Sequence, residues 1–324
     1  MKIVNLNSKI TKALLWLVLL ILCLILLKSK EYILSIFIST LIYTGVAVAW
    51  DIMGLSGKIS FGQAAFFGIG AYTSMILSAN GVNLLLALIV GGLVAGFFAI
   101  TVGIPFLRLR GPYFAIGTLG LANVVYILAL VLKKWTRGAA GFALPKSVFI
   151  NRSFSFYYIL ILTTVILVAL IHYWMCYTKV GVALKAIHDD EDAALSVGVN
   201  TIFYELIAFG ISALLTGILG AFYALYITYI SPSNVFSSSI SIGAVAMAVF
   251  GGVGTTIGPI IGGIFLSFLS EILRNYVSSN FSLLLYGIAI VGTMLFLPGG
   301  LISITFRRTS KRQNQEGANN DARV

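Results

Sequence analysis

Long apolar segments follow one another through most of this chain, separated by short polar stretches. A chain built from such segments can satisfy its backbone hydrogen bonds inside a bilayer only by forming helices or a closed barrel, and segments this long favour helices. Hydrophobic residues make up 59% of the 324 residues and charged residues only 10%, whereas soluble domains carry about 25% charged residues. We therefore predict an all-α polytopic membrane protein.

The apolar segments predict about ten transmembrane helices, because a span needs about 20 residues. The first segment resembles a signal peptide, but no small-x-small cleavage site follows it, so we interpret it as an anchored span. One membrane domain is expected over residues 1–306, followed by a basic, polar tail at 307–324 that we expect to be disordered. The predicted spans are Leu14–Leu27, Ile33–Trp50, Ile59–Ala79, Leu84–Ile104, Tyr113–Leu132, Tyr157–Tyr177, Phe203–Ile227, Ile240–Val253, Ile257–Ile272 and Leu283–Ile302.

The count of ten depends on dividing the apolar stretch 240–272 at its glycines, and a single tilted helix or a re-entrant pair is the alternative. Basic residues near both termini favour the cytoplasmic side for both, which requires an even number of spans. The loop Lys133–Phe156 is also basic, yet this topology places it outside. Either the topology is wrong or these charges face an acidic partner, and we favour the second interpretation.

The segment from about 178 to 203 differs from the rest of the chain, because it holds four of the ten acidic residues side by side at 189–192. Apolar residues recur there at helical spacing and end at the acidic cluster, so two short helices with a break are predicted. Asp189 is the expected N-cap of the second helix, and Gly198 is placed to end it. The segment is either a solvated loop or a docking surface for a cytoplasmic protein.

Several functions find little support in the residues. The net charge of +11 is scattered over segment ends, so a nucleic-acid partner is not indicated. Two cysteines and two histidines form no metal-ligand pattern, and neither a catalytic pair nor a nucleotide-binding loop is present.

Three ionisable residues, Asp51, Glu205 and Glu271, stand at predicted span ends, where water is near and structural roles are expected. With no charge predicted at mid-bilayer, an ion-coupled carrier is disfavoured, and active transport would need energy from another polypeptide.

A series of motifs resembles the permease subunits of branched-chain amino-acid ABC importers, of the LivM type. The motifs occur in the family's order from about residue 45 to 301 and together are specific. They are the stretch 54–72 (GLSGKISFGQAAFFGIGAY), the stretch 108–116 (RLRGPYFAI), the outer-loop glycines in 136–141, Ser231-Pro232, Met247, the glycines of 251–254, Gly258-Pro259 and 296–301 (FLPGGL).

The resemblance implies a type II ABC importer permease in a bacterial cytoplasmic membrane. Its partners would be a homologous second permease, two ATPase subunits that carry ATP and Mg²⁺, and an extracytoplasmic binding protein; this chain would hold no cofactor. The stretch Asp192-Ala193-Ala194-x-x-x-Gly198 is similar to the motif that docks such permeases on their ATPase. The implied coupling residues are Lys185, Asp189, Asp190, Glu191, Asp192, Ala193, Ala194 and Gly198.

Two further sets of residues follow from the resemblance. Lys133, Lys134 and Arg137 would dock the binding protein, and Ser60, Gln63, Phe66 and Tyr72 would line the substrate pathway. Gln63 stands where the family commonly has His, and Asp51 stands where it often has Asn. Because of these two departures, the resemblance predicts the architecture more strongly than it predicts the identity of the transported solute. Urea or an amide is an alternative cargo, and a stand-alone channel or secondary carrier is the alternative from a different class.

Overall fold

The computed structural model describes residues 31–144, 153–276, 281–296 and 300–301. This part of the chain is a helical bundle with one two-residue strand pair. The helices are α1 (Glu31–Gly54), α2 (Gln63–Ala79), α3 (Leu84–Leu107), α4 (Pro112–Val131), α5 (Lys133–Thr136), α6 (Phe154–Tyr177), α7 (Lys179–Asp189), α8 (Glu191–Ser196), α9 (Thr201–Ile227), α10 (Pro232–Val235), α11 (Ser238–Gly251), α12 (Ile257–Tyr276) and α13 (Phe281–Phe296); the strands are β1 (Phe142–Ala143) and β2 (Tyr229–Ile230).

Helices α1 and α9 form the centre of the bundle. Helix α9 packs most extensively on α2 and α3 and also contacts α1, while α1 contacts α6, α11 and α12. Glycines permit the closest approaches, since a Cβ built on Gly70 of α2 would overlap the carbonyl group of Gly217 on α9. Small residues at such crossings let helix backbones approach each other in lipid, where the hydrophobic effect does not drive association.

The outer helices present large apolar side chains on their free faces. Phe97 on α3, Ile116 on α4 and Leu170 on α6 are 70%, 67% and 55% exposed. Such surfaces suit contact with lipid. Six helical segments of the described residues are long and apolar enough to cross a membrane: Glu31–Gly54, Leu84–Leu107, Pro112–Val131, Phe154–Tyr177, Thr201–Ile227 and Pro232–Gly251.

The all-α polytopic class predicted from the sequence is confirmed, but the count of ten spans is not. Helices α2 and α13 are 17 and 16 residues long, and the first predicted span lies outside the described residues. The stretch 240–272 does divide into two helices, α11 and α12, at a turn where Gly252 and Gly254 have positive φ. Whether every segment crosses the bilayer therefore stays a prediction.

The predicted span Ile59–Ala79 is wrong at its beginning, because α2 starts only at Gln63. Residues 57–62 are non-helical and buried in part, and side chains from other helices satisfy their backbone groups. Trp50 Nε1 donates to the Ser60 carbonyl oxygen at 2.7 Å, and the Phe61 amide donates to Thr118 Oγ1 at 3.0 Å. These bonds compensate the backbone groups that leave the helix, as buried non-helical backbone requires.

The acidic segment and the basic loop lie at opposite ends of the bundle. Arg110, which follows α3, contacts Asp192 of the acidic segment. Helix α4 then runs 20 residues, about 30 Å, before α5 and β1 begin. Strand β1 pairs with β2 at that far end, with Phe142 opposite Ile230. The predicted separation of the two loops agrees with this arrangement, and which end faces the cytoplasm stays a prediction.

Candidate functional site

The acidic segment forms two helices, α7 and α8, which meet at Asp190. One face of α7 is buried against the bundle through Gly181, Ala183, Leu184 and Ile187. The sequence predicted this apolar stripe, with Val180 at its edge only partly buried. Because α6 ends at Tyr177 and α7 begins at Lys179, a displacement of α7 would directly displace the end of α6.

The N-cap of α8 is Asp190 rather than the predicted Asp189. Asp190 has extended backbone angles (φ −161°, ψ 109°), and its Oδ1 accepts hydrogen bonds from the amides of Asp192 and Ala193, both at 2.9 Å. Asp189 is still the last residue of α7. A capping residue must leave helical geometry for its side chain to reach those amides, and the run of acidic residues did not reveal where that break falls.

Gly198 ends α8, as predicted. It has φ +86°; its amide donates to the Leu195 carbonyl at 3.0 Å, and the Val199 amide donates to the Ala194 carbonyl at 3.0 Å. This pair of bonds is the Schellman arrangement, which favours glycine because its αL conformation costs other residues energy. Helix α8 is therefore closed at both ends by hydrogen bonds made within the segment.

A salt bridge connects α8 to the loop that follows α3. Arg110 Nη2 lies 2.9 Å from Asp192 Oδ1, and Arg110 Nε lies 4.0 Å from Glu191 Oε2. The hydrogen bond with Asp192 and the charges of both carboxylates raise the pKa of Arg110. Both side chains of the closer pair are mostly exposed, so the bridge orients α8 more than it stabilises the fold.

The other predicted coupling residues lie on or near the same surface. Lys185 and Asp189 border a cavity of about 440 Å³ between α7 and the adjacent ends of α1 and α11. Ala193 is exposed, and Ala194 is the buried residue of α8. The structure thus places six of the eight predicted residues on the helix pair, with Asp190 between the two helices and Gly198 just after the second, and their coupling role stays a prediction.

Three apolar residues of this helix pair were missed by the sequence reasoning. Val182, Leu195 and Val197 are 65%, 45% and 79% exposed. Side chains of this kind on a surface that also carries many charges are typical of a contact region for another protein. Large apolar residues that lie off the predicted stripe, in a segment already assigned to water, were the signal that could have identified them.

A buried ion pair lies where the α1–α2 connection meets α9. Lys58 Nζ is 2.7 Å from Glu205 Oε2 and donates to the Leu107 carbonyl at 3.0 Å. The side chains are 7% and 0% exposed. The sequence placed Glu205 at a span end near water; this expectation is wrong, because neighbouring helices cover that end of α9.

A second buried pair lies at the end of α1. Asp51 Oδ2 is 2.9 Å from His172 Nε2 on α6, and the Gly254 amide donates to the Asp51 carboxylate at 3.1 Å. His172 Nδ1 lies 3.1 Å from Thr256 Oγ1. Asp51 and His172 are fully buried, so the expectation of water beside Asp51 is also wrong. This group connects α1 and α6 to the turn before α12.

The predicted pathway residues lie inside the chain. Ser60, Gln63, Phe66 and Tyr72 are 0%, 1%, 0% and 5% exposed. Gln63 Nε2 donates to Ser212 Oγ at 2.9 Å, and Thr216 Oγ1 donates to Gln63 Oε1 at 2.7 Å, which joins α2 to α9. In this conformation all four side chains are buried and Gln63 joins two helices, and a pathway role for the four residues stays a prediction.

The predicted docking residues for a binding protein lie at the far end of the bundle. Lys133, Lys134 and Arg137 are exposed on and after α5. Arg137 has φ +61° and lies over the ring of Phe142, with its Cζ 4.7 Å from the ring centroid. The other two basic residues of this loop, Lys146 and Arg152, lie outside the described residues.

The assignment of the cap can be tested on the chain itself. Replacing Asp190 with alanine is expected to destabilise α8 by about 1 kcal/mol, the usual contribution of an N-cap, whereas Asp189→Ala should have little effect. Hydrogen exchange of the Asp192 and Ala193 amides measures this, with exchange about fivefold faster in the Asp190 variant only. Equal acceleration in both variants would contradict the assignment.

The fold and this surface define a class: a polytopic helical membrane protein in which a charged, capped helix pair is attached to tightly packed apolar helices. The family model described as "branched-chain amino acid transport system / permease component" matches residues 32–294. The chain belongs to this family, and it is a membrane transport component.

Relatives with assigned names agree with the family. The chain is 30% identical over 295 residues to the high-affinity branched-chain amino acid transport system permease protein LivM of Escherichia coli K12, covering 82% of this chain and 69% of that protein; LivM of Salmonella typhimurium matches equally. It is 26% identical over 297 residues to the autoinducer 2 import system permease protein LsrC of Salmonella paratyphi B, covering 88% and 83%. No solved structure matches significantly.

Proposed function

We propose that this chain is the membrane-spanning permease subunit of an ATP-driven ABC importer for branched-chain amino acids. The observation that carries the proposal is the helix pair α7–α8, which is capped at Asp190, closed at Gly198 and exposed through Leu195 and Val197. A rigid, amphipathic element of this kind at one end of a bundle suits docking into a cleft of an ATPase. The printed names of the family and of the LivM relatives support the cargo.

The packing of α7 offers a physical route for coupling. Leu184 is buried in the same cluster as Met53 of α1 and Ala208 of α9, so a push on α8 that moves α7 would be transmitted to both helices. The Asp51–His172 pair then connects α1 to α6 and to the turn before α12. Coupling of this kind needs a bundle with two conformations whose balance the ATPase shifts.

The proposed assembly contains a homologous second permease, two ATPase subunits that bind ATP and Mg²⁺, and an extracytoplasmic binding protein. The proposal places it in a bacterial cytoplasmic membrane with both termini inside, α7–α8 in the cytoplasm and α5 outside. The exposed Lys133, Lys134 and Arg137 would then meet acidic residues of the binding protein, since opposite charges raise association rates. Cofactor chemistry and nucleic acid have no part in the proposal.

One experiment with two variants tests both ends of the molecule in the complete importer. Leu195→Asp with Val197→Asp should lose co-purification of the ATPase by tenfold or more, because it places charge in the apolar contact. Neutralising Lys133, Lys134 and Arg137 to glutamine should leave the ATPase bound but slow binding-protein-dependent uptake severalfold, most clearly at low salt.

Each variant is the control for the other, and both must insert in the membrane as the wild type does. Unchanged uptake after neutralising the three basic residues would remove the docking assignment. If no ATPase associates with the wild type while the chain alone conducts solute in liposomes, the importer proposal fails and a channel or carrier is correct.

A further inference from the structure

The short loop between α3 and α4 binds two partners on opposite sides. On its outer side, Arg110 binds Asp192 of α8 through two nitrogens, with Nη2 2.9 Å from Oδ1 and Nη1 3.5 Å from Oδ2. On its inner side, the carbonyl oxygen of Leu107, the last residue of α3, accepts a hydrogen bond from Lys58 Nζ at 3.0 Å. Because Arg110 follows Leu107 by only three positions, a displacement of one reaches the other through a short stretch of backbone.

The backbone of this loop has little freedom. The Leu109 amide donates to the Phe106 carbonyl oxygen at 2.9 Å, and α4 begins at Pro112 directly after Gly111, which has φ +54°. Proline at the first helical position has a fixed φ close to the helical value, and the positive φ before it favours glycine. A loop held in this way passes a movement on instead of absorbing it.

Lys58 connects the loop to the non-helical segment 57–62, which leads into α2. This lysine is 7% exposed and forms the buried ion pair with α9. The first turns of α4 hold the same segment, because the Phe114 ring centroid lies 5.9 Å from Lys58 Nζ. Thr118 Oγ1 also accepts a hydrogen bond from the Phe61 amide at 3.0 Å. A shift of the α3–α4 loop and of the beginning of α4 would therefore displace segment 57–62 as well.

Helix α7 contacts the same segment directly. Gly57 has φ +78°, and a Cβ built on it would lie only 2.5 Å from Nδ1 of His188, in the last turn of α7. Glycine is suited to this position both by its backbone angles and by the room it leaves for the histidine ring. The helix pair α7–α8 thus reaches segment 57–62 in two ways, through His188 of α7 and through the α3–α4 loop that is bound to α8.

We propose that segment 57–62 receives the movement of α7–α8 and that Arg110 is a positioning residue that transmits the movement of α8 to it. The inference rests on the proposed function and deepens it, because it identifies how the motion of an ATPase would reach the beginning of α2. The segment lacks the regular hydrogen bonds of a helix, so it can change its backbone angles as a hinge does. Its displacement would move the first turn of α2, where Gln63 joins α2 to α9.

The connection can be interrupted with Arg110→Gln, which removes the charge and keeps a polar side chain. In the complete importer the ATPase should still co-purify, while the amount of leucine transported per ATP hydrolysed should fall about threefold or more. Arg110→Lys should retain about half or more of the wild-type ratio, since a lysine can still pair with Asp192 as a point charge. Arg108→Gln, at an exposed arginine of the same loop, is the matched control and should leave the ratio unchanged.

Labelling of the segment gives a second measurement, which a merely structural role of Arg110 would not change. In this chain with both native cysteines replaced by alanine, Ile59→Cys places a thiol at an exposed position of segment 57–62. Its rate of reaction with N-ethylmaleimide should change about threefold or more between the nucleotide-free importer and the importer trapped with ATP and vanadate. Adding Arg110→Gln should remove most of this change, whereas adding Arg108→Gln should not.

The proposal stands only if both the transport ratio and the change in labelling depend on Arg110. Equal labelling rates in the two states would show that the segment does not move, and a change that survives Arg110→Gln would show that the movement takes another route. Either result overturns the proposal, as does an unaltered transport ratio. Loss of the ATPase from Arg110→Gln would also overturn it, because Arg110 would then only orient α8 for docking. A wild type that binds no ATPase or transports no leucine would instead be a failure of the importer proposal.

Discussion

Replacing Gly70 with valine is expected to prevent α2 from packing on α9, with loss of most of the folded protein. A side chain at Gly70 would overlap the backbone carbonyl of Gly217 rather than a flexible side chain. The two helices would have to separate, together with α3, where Gly91 also packs near Gly70. Overpacking typically costs about 1–3 kcal/mol and more where backbone must move, so we expect a cost at the upper end or beyond.

The measurement is the yield of monodisperse protein in mild detergent and its thermal unfolding temperature. Gly120→Val is the matched control, because a Cβ built on Gly120 meets no other atom within 4 Å, at an exposed position of α4. The control should purify and unfold like the wild type. If Gly70→Val does the same, α2 and α9 are not packed as closely as the structure indicates.

Replacing Lys58 with methionine is expected to lower the free energy of unfolding by about 3–5 kcal/mol, the usual cost of removing one partner from a buried ion pair. Glu205 is fully buried, and its Oε1 has no hydrogen-bond partner among the described residues. After the substitution the carboxylate would lose Lys58, the partner of its other oxygen. The Leu107 carbonyl would also lose the donor from Lys58.

A second variant distinguishes the effect of an unpaired buried charge from the effect of altered packing around Lys58 and Glu205. In Lys58→Met with Glu205→Leu, no charge is left buried, and most of the lost stability should return, since apolar replacements of buried pairs are often neutral. Lys185→Met, at an exposed position, is the control for loss of a lysine. Thermal unfolding of the purified chain measures all three. A Lys58→Met variant as stable as the wild type would contradict the expected cost, and a double variant no more stable than the single one would show that the unpaired charge of Glu205 is not its cause.

Sequence reasoning identified the helix pair α7–α8 and its end at Gly198 because both depend on neighbours along the chain. A helix stripe repeats every three to four residues, and a glycine with positive φ acts on the turn before it. The cap was assigned one residue early, to Asp189, because four acidic residues in a row offer several equivalent positions. The choice of Asp190 depends on where α7 stops packing on the bundle.

The buried ion pairs could not be predicted in this way. Lys58 and Glu205 are 147 positions apart, and Asp51 and His172 are 121 apart. Asp51, Lys58 and Glu205 stand at the ends of apolar segments, where their charge by itself indicates contact with water, and His172 lies inside a predicted span. Only the arrangement of several helix ends shows that these positions are covered.

The sequence by itself determined that this is a bundle of membrane helices with a charged helix pair between two of them, because a bilayer excludes unpaired backbone and unpaired charge. The tertiary structure decided which polar groups meet and where the helix of the 54–72 motif begins. Those outcomes depend on how distant helices cross, and helix crossings follow from the shapes of many small residues together, which no local pattern encodes.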